Sequence, residues 1–362
     1  MTGPDDAPLT RLLDPARRRP LVVLDPRWPA AQRAQAADDV AAAVTAGRVG
    51  SRDLVLFTSG STGWPRGVVR SLASWEASLQ PLSEVTGIGA DDEVWVPGPL
   101  SSSLSLYGAF HTARVGATTV CDPSPPPAAT AAHLVPSALA DALDAADQLP
   151  RLRTVVVAGA ALPEPLRRRA GALGWRVVEY YGAAELSFVG VQDSPGPMRD
   201  FPGAEVEVRG GMLWVRSPYC CNGYVSPTED GPLVRSGEWA SVGDLGRREG
   251  TGWVVVGRGD TAVVTGATTV IAEEVEAVLT AVEGVVGGAV IGLPHERLGQ
   301  YVGAVVVADR PVRDALVHAC AGLPAPARPR RWLAADRLPL TPAGKLDRTA
   351  LVELAPQLPP LR

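Results

Sequence analysis

Residues 53–70 read DLVLFTSGSTGWPRGVVR, and the reading of the fold starts there. Leu54, Val55, Leu56 and Phe57 form a short unbroken apolar run, the pattern of a strand buried on both faces. The run empties into Thr58, Ser59, Gly60, Ser61, Thr62 and Gly63, a loop of hydroxyls and glycines. Glycines let successive N–H groups turn toward one point, and small hydroxyls add donors without bulk. Arg66 supplies a fixed positive charge at the far end, so a strand feeding this loop is a means of gripping a polyphosphate. The same composition also makes ordinary surface turns. A Walker loop is excluded, because Gly63 is followed by Trp-Pro-Arg.

At 362 residues and 46% hydrophobic, the chain can bury a large core and is expected to divide into two domains. A formal net charge of -5 without a basic run argues against a nucleic-acid partner. The N-terminal MTGPDDAPLT is polar and acidic, and no apolar run approaches the ~18 residues that cross a bilayer. A soluble cytoplasmic protein without membrane contact is the expectation. Cys121, Cys220, Cys221 and Cys320 lack C-x-x-C spacing and read as small apolar residues. Of the 34 basic residues only Lys345 is a lysine. A compact ammonium can approach a carboxylate and a phosphate together where a planar guanidinium often cannot.

Outward from the loop, residues 19–29 read as a strand and turn, and 30–46 as a helix closed by Gly47. A helix is predicted over 71–85, a strand over 93–97, a helix over 109–116 and a strand over 118–121. A proline-rich spacer at 122–130 precedes a predicted helix over 131–146. Residues 154–162, TVVVAGAAL, are a buried strand running into a small-residue turn at Gly159, Ala160 and Ala161. Residues 177–188, VVEYYGAAELSF, are another apolar strand ending in Tyr-Gly with a glutamate behind it. Alternation over 203–225 predicts small antiparallel strands in a barrel-like subdomain. The last hundred or so residues read as a small α/β domain, with Gly344-Lys345-Leu346-Asp347-Arg348 near its end.

These motifs together resemble the adenylate-forming superfamily of acyl-CoA synthetases, carrier-protein-loading adenylation domains and luciferases. That family's loop, Thr-Ser-Gly-Ser/Thr-Thr-Gly-x-Pro-Lys-Gly, is matched from 58 to 67 with Arg66 in place of lysine. The resemblance implies that Thr58 to Gly63 and Arg66 bind phosphate, and that Gly159, Ala160 and Ala161 wall the adenine pocket. By the pattern Tyr-Gly-x-Thr-Glu, Tyr181 stacks on adenine and Glu185 holds Mg2+, with Ala184 replacing the threonine. Asp244, in Ser241-Val242-Gly243-Asp244-Leu245-Gly246, takes the ribose hydroxyls, and Val242 replaces another threonine. Arg258 contacts ribose or phosphate, and Asp260 is the hinge of a mobile C-terminal domain. Lys345 falls on the lysine that catalyses adenylation. Relatives carry a histidine near Pro99-Leu100 that lines the acyl pocket. Serines stand there instead, and the pocket candidates are Ser102, Ser103, Tyr107, Tyr180 and Gly182. Ala267 occupies the second glycine of a loop that faces the pantetheine tunnel in relatives.

The implied fold is α/β with α+β subdomains. A large N-terminal domain, residues 1–258 with an abbreviated front, holds stacked α/β sheets and the barrel-like subdomain. A small mobile α/β domain, residues 259–362, follows. The compact layout is similar to that of o-succinylbenzoate–CoA synthetases. The implied activity is an ATP-dependent, AMP-forming carboxylic acid–CoA ligase using ATP, Mg2+ and coenzyme A, with a homodimer as the default assembly. Two alternatives stand beside it: a ligase passing the acyl group to a carrier protein or amine, and a non-catalytic nucleotide-binding relative. A serine hydrolase is excluded by the absence of a G-x-S-x-G elbow.

Overall fold

The computed structural model describes residues 7–59, 65–226, 231–258, 263–265, 268–295, 299–341 and 344–362. Gly60, Ser61, Thr62 and Gly63 of the phosphate loop, Asp260 and Ala267 lie outside the described residues, as do the side chains of Ser59 and Arg258.

The apolar run forms the strand Asp53–Ser59, in which Leu54, Val55 and Leu56 are fully or almost fully buried. Leu21–Val23 pairs with it in parallel, and Pro65–Ser71 in antiparallel. Gly223–Tyr224 completes a four-stranded sheet. The chain therefore continues from residue 65 as a strand, and the helix predicted over 71–85 is two short helices, Leu72–Glu76 and Leu79–Thr86. Val68 and Val69 hold that strand: β-branched and buried, they pair with residues on both sides of the ladder. Ser71 then starts the first helix by accepting the Ser74 N–H at 3.1 Å. The hairpin register sets Arg66 opposite Thr58, at the mouth of the loop.

A seven-stranded sheet carries the next third of the chain. Its parallel part runs Thr118–Val120, Glu93–Trp95, Ala131–Leu134, Thr154–Val157 and Arg176–Ala183, with Ser187–Gln192 and Arg199–Asp200 added in antiparallel. The helix predicted over 131–146 is a strand, Ala131–Leu134, followed by a helix, Pro136–Asp144. Alanine favours helix, but here parallel neighbours on both sides claim the backbone donors and acceptors. Pro136 fixes the start of the helix and holds Val135 extended at φ -89°, ψ 162°.

The barrel-like subdomain is an antiparallel sheet of Val234–Ser236, Trp239–Ser241, Met212–Arg216, Asp244–Glu249 and Gly252–Arg258, with Glu205–Arg209 beside Met212–Arg216. In the described residues its strand order is open. The terminal sheet comprises Thr268–Val270, Val263–Thr265, Gly299–Ala308, Val285–His295 and Arg331–Ala334. It packs on Ala272–Thr280 and Arg313–Cys320 around its own core of Val275, Leu279, Val290, Val306 and Leu316. A separate core around Leu54, Trp75, Leu106, Phe110 and Phe201 holds the front of the chain. Among the described residues no helix is long and apolar enough to cross a membrane.

Two buried histidines lie between the helix Ser103–Arg114 and the sheet. His111 Nε2 is 2.9 Å from Ser83 Oγ, and the His133 ring fills the space that a side chain on Gly108 would need. Burial pushes His111 down to about 4 and His133, beside His111, down to about 3. Below pH 6.5, the ordinary histidine value, the unfolded chain takes up protons that these folded rings refuse. Stability is therefore fully present above that value and falls as pH drops toward about 4, by on the order of 1–2 kcal/mol per histidine at pH 5. Urea midpoints measured at pH 7.5 and 5 check this. The wild type should lose stability more steeply than a His111→Gln/His133→Gln double variant.

Candidate active site

The parallel strands all end at one edge, and in open α/β sheets ligands bind beyond the carboxyl ends of the strands. Thr154–Val157 ends there in Ala158 and Gly159. Gly159 has φ +94°, a conformation that side chains other than glycine rarely adopt. Ala160 and Ala161 follow and are exposed, so the turn offers backbone and small methyls rather than bulk. Leu162 N–H anchors the turn on Glu179 Oε1 at 3.2 Å, and Arg167 ion-pairs with the same carboxylate. Burial raises the Glu179 carboxyl against the pull of Arg167.

Three segments distant in sequence meet at Gly159. A Cβ built on it would lie 3.3 Å from Val135 Cγ1, 3.6 Å from Leu104 Cδ1 and 4.0 Å from Lys345 Cε. The chain's sole lysine thus reaches across from the terminal domain to the proposed adenine turn. Its loop is closed by Thr341 N–H to the Lys345 carbonyl at 2.6 Å and Gly344 N–H to the Thr341 carbonyl at 2.8 Å. Asp347 caps Arg348–Leu354 through Ala350 N–H at 3.0 Å. Arg348 ties the loop to Glu276 at 2.7 Å and Glu273 at 3.3 Å. Gly344, at φ +77°, lies so close to Val135 that an added Cβ would sit 3.0 Å from Val135 Cγ2. Val135 therefore touches both the turn and the lysine loop.

Beside this edge, Tyr181 donates its hydroxyl hydrogen to Asp244 Oδ2 at 2.5 Å. Asp244 is buried, and it pairs in register with Arg258 across the ladder. Tyr181 also meets Trp253 edge-on at 5.7 Å, so its ring plane is fixed. The structure brings these three sequence-selected residues onto neighbouring strands.

Glu185 sits in the tight turn between Arg176–Ala183 and Ser187–Gln192 and is 5% exposed. Ser187 next to the turn has φ +59°, a strained value for a residue with a side chain. Gly182 is required by space, because a Cβ there would fall 1.9 Å from the Ser187 carbonyl oxygen. From below, the buried Arg70 donates to the Ala184 carbonyl at 2.8 Å and the Tyr219 carbonyl at 3.2 Å. Cys221 N–H donates to the Glu185 carbonyl at 2.7 Å. Tyr224 donates its hydroxyl hydrogen to Glu185 Oε1 at 3.0 Å. Among the described residues no donor reaches Oε2. Mg2+ is commonly held by one or two carboxylates together with waters and substrate phosphates. A buried carboxylate whose Oε2 takes no bond from the described residues fits that requirement.

The acyl-pocket candidates divide by position. Ser102 and Ser103 open the helix Ser103–Arg114, whose next residue, Leu104, is the one that reaches Gly159. Tyr107 is buried against Trp75, Phe110 and Phe188, with its hydroxyl 2.7 Å from Ser78 Oγ. Tyr180 packs on Phe188 at 4.6 Å. Sequence reasoning missed Leu104, Val135, Arg70 and Tyr224. Of these only Val135 carried a signal, the proline after it.

The family model of the AMP-binding enzymes matches residues 9–225, and that of the AMP-binding enzyme C-terminal domain matches residues 274–345. An uncharacterized acyl–CoA ligase of Bacillus subtilis is 31% identical over 327 residues, covering 81% of this chain and 66% of the relative. A probable 2-succinylbenzoate–CoA ligase of Mycobacterium tuberculosis is 31% identical over 337 residues, 83% of each chain. Among solved structures, an ATP-bound RpMatB–BxBclM chimera superposes with a TM-score of 0.75 at 26% identity, covering 84% of this chain and 68% of the other. The chain thus spans about two thirds of the length of several of its relatives. With both family models matched in order on a fold of this likeness, the chain belongs to the AMP-binding enzymes, in the acyl–CoA ligase branch of the adenylate-forming superfamily.

Proposed function

We propose that the chain is an ATP-dependent, AMP-forming carboxylic acid–CoA ligase in which the terminal domain delivers Lys345 to the reacting phosphate. The observation that carries this reading is the approach of Lys345 Cε to the Gly159 turn. The chemical need is plain. A carboxylate must attack the α-phosphorus of ATP, forming the acyl–phosphate bond as pyrophosphate leaves with the electron pair. Two anions about 4 Å apart repel by roughly 4 kcal/mol in a partly dry site, so a cation between them removes much of the barrier. Lys345 supplies that cation on a flexible stem, and an ammonium can face both oxygens. Mg2+, when bound, neutralises phosphate charge; Glu185 is the residue that would hold it. Thr58, Ser59, Gly60, Ser61, Thr62, Gly63 and Arg66 take the departing pyrophosphate end. Asp244, aligned by Tyr181, accepts the ribose hydroxyls, and Gly159, Ala160 and Ala161 face the base.

The second half-reaction needs room for a thiol where Lys345 stands. Residues 259–362 swing about Asp260 against residues 1–258, withdrawing the lysine, and the coenzyme A thiolate attacks the acyl carbonyl with AMP leaving. A cytoplasmic setting suits a chain that draws on ATP and coenzyme A. The small and aromatic candidates Ser102, Ser103 and Tyr180 suit an apolar or aryl acid. Mass spectrometry of products formed with coenzyme A against an acyl carrier protein separates the ligase from a carrier-loading enzyme.

Lys345→Ala should cut acid-dependent ATP–pyrophosphate exchange by ~100-fold or more while ATP binding stays within a few-fold. Undiminished exchange contradicts the assignment. ATP binding without exchange for any acid, in the wild type, would instead mark a non-catalytic relative. Asp244→Ala should raise KM for ATP by ~10-fold or more, the size expected from losing hydrogen bonds to a charged group. Steady-state kinetics at saturating acid reads that change.

A further inference from the structure

Tyr224 lies between the two groups that bracket the pyrophosphate end of the proposed nucleotide site. It belongs to Gly223–Tyr224, the short strand paired with Val68 and Val69 just beyond the phosphate loop. Its hydroxyl oxygen accepts the Leu233 N–H at 3.2 Å, which directs its own hydrogen to Glu185 Oε1 at 3.0 Å. Its ring carries the Arg66 guanidinium, whose Cζ is 5.7 Å from the centroid. The backbone at Gly231 presses on the same ring, since a Cβ there would fall 2.2 Å from Tyr224 Cε2 and Cζ. Its neighbours along the chain are fixed as well: Asn222 N–H donates to Val69 O at 2.7 Å and Val225 N–H to Gly67 O at 2.8 Å.

We propose that Tyr224 is a positioning residue that holds Glu185 and Arg66 as one unit. The hydrogen bond occupies Oε1 and leaves Oε2 as the oxygen offered to a divalent cation. The cation–π contact fixes where the guanidinium meets phosphate. Metal and pyrophosphate affinity are thereby coupled through a single aromatic side chain. The inference rests on the reading that this site takes MgATP.

Isothermal calorimetry with a nonhydrolysable ATP analogue, titrated at several Mg2+ concentrations, tests it. Mn2+ relaxation of water protons gives a second readout that needs no turnover. Tyr224→Phe keeps the ring and removes the hydroxyl. It should raise the Mg2+ needed for half-maximal analogue binding by about tenfold and leave metal-free binding unchanged. Tyr224→Leu should also weaken pyrophosphate binding severalfold, because the Arg66 contact goes with the ring. On a Glu185→Gln background, Tyr224→Phe should add nothing further, since both act on one carboxylate. An unchanged Mg2+ requirement in Tyr224→Phe, or additive effects in the double variant, overturns the inference. Wild-type protein that binds the analogue with no Mg2+ dependence overturns the MgATP reading beneath it, and the wild-type titration alone distinguishes the two failures.

Discussion

The proposed site depends on one backbone fact: the turn at Gly159 is held at φ +94°, and the stem of Lys345 lies beside it. At φ +94° the turn takes a conformation that strains any residue with a side chain, and there Val135, Leu104 and the lysine stem converge within contact distance of one point. The consequence is an enzyme surface assembled from both ends of the chain. The front supplies parallel strands that end at one edge, and the tail supplies the lysine beside it. The proposed two-step reaction through an acyl-adenylate asks that edge first to hold a cation and then to admit a thiol.

Around that platform, polar groups are fixed by partners rather than left to search. Asp244 is buried yet held by the Tyr181 phenol, and Glu185 is buried yet held by Tyr224. Arg70 is a fully enclosed guanidinium bound to the carbonyls of Ala184 and Tyr219, and it supports the turn from which Glu185 projects. Burying a charge is costly unless it is bonded, so each of these residues marks a place where geometry outweighs stability. The left-handed φ of Ser187 is a further cost concentrated in the same turn.

Much of this was legible in the chain itself, and the reasons are specific. The strand at 53–59 announced itself because four consecutive apolar residues precede a glycine-hydroxyl loop. Lys345 stood out because every other Lys or Arg position is arginine, and the structure places its side chain beside Gly159. The strand at 131–134 did not show, since Ala-Ala-His-Leu has neither period nor β-branching, and only its flanking strands decide its state. Tyr224 was equally silent. Its partners, Arg66 on another strand and Glu185 in a turn, are far away in sequence, and pairings between distant segments leave no local periodicity to read. Val135 shows the intermediate case: Pro136 predicts an extended residue there, but not that it will touch both the turn and the lysine loop.

The central claim is that the loop at 58–66, the turn at 159–161 and the terminal lysine address one nucleotide. A crystal structure with a nonhydrolysable ATP analogue and Mg2+ tests it most directly. The account predicts adenine against residues 159–161, ribose hydroxyls on Asp244, and the triphosphate running from Lys345 toward Arg66. A nucleotide bound away from that edge, or a lysine loop seated where it cannot meet the α-phosphate in any observed state, would contradict it.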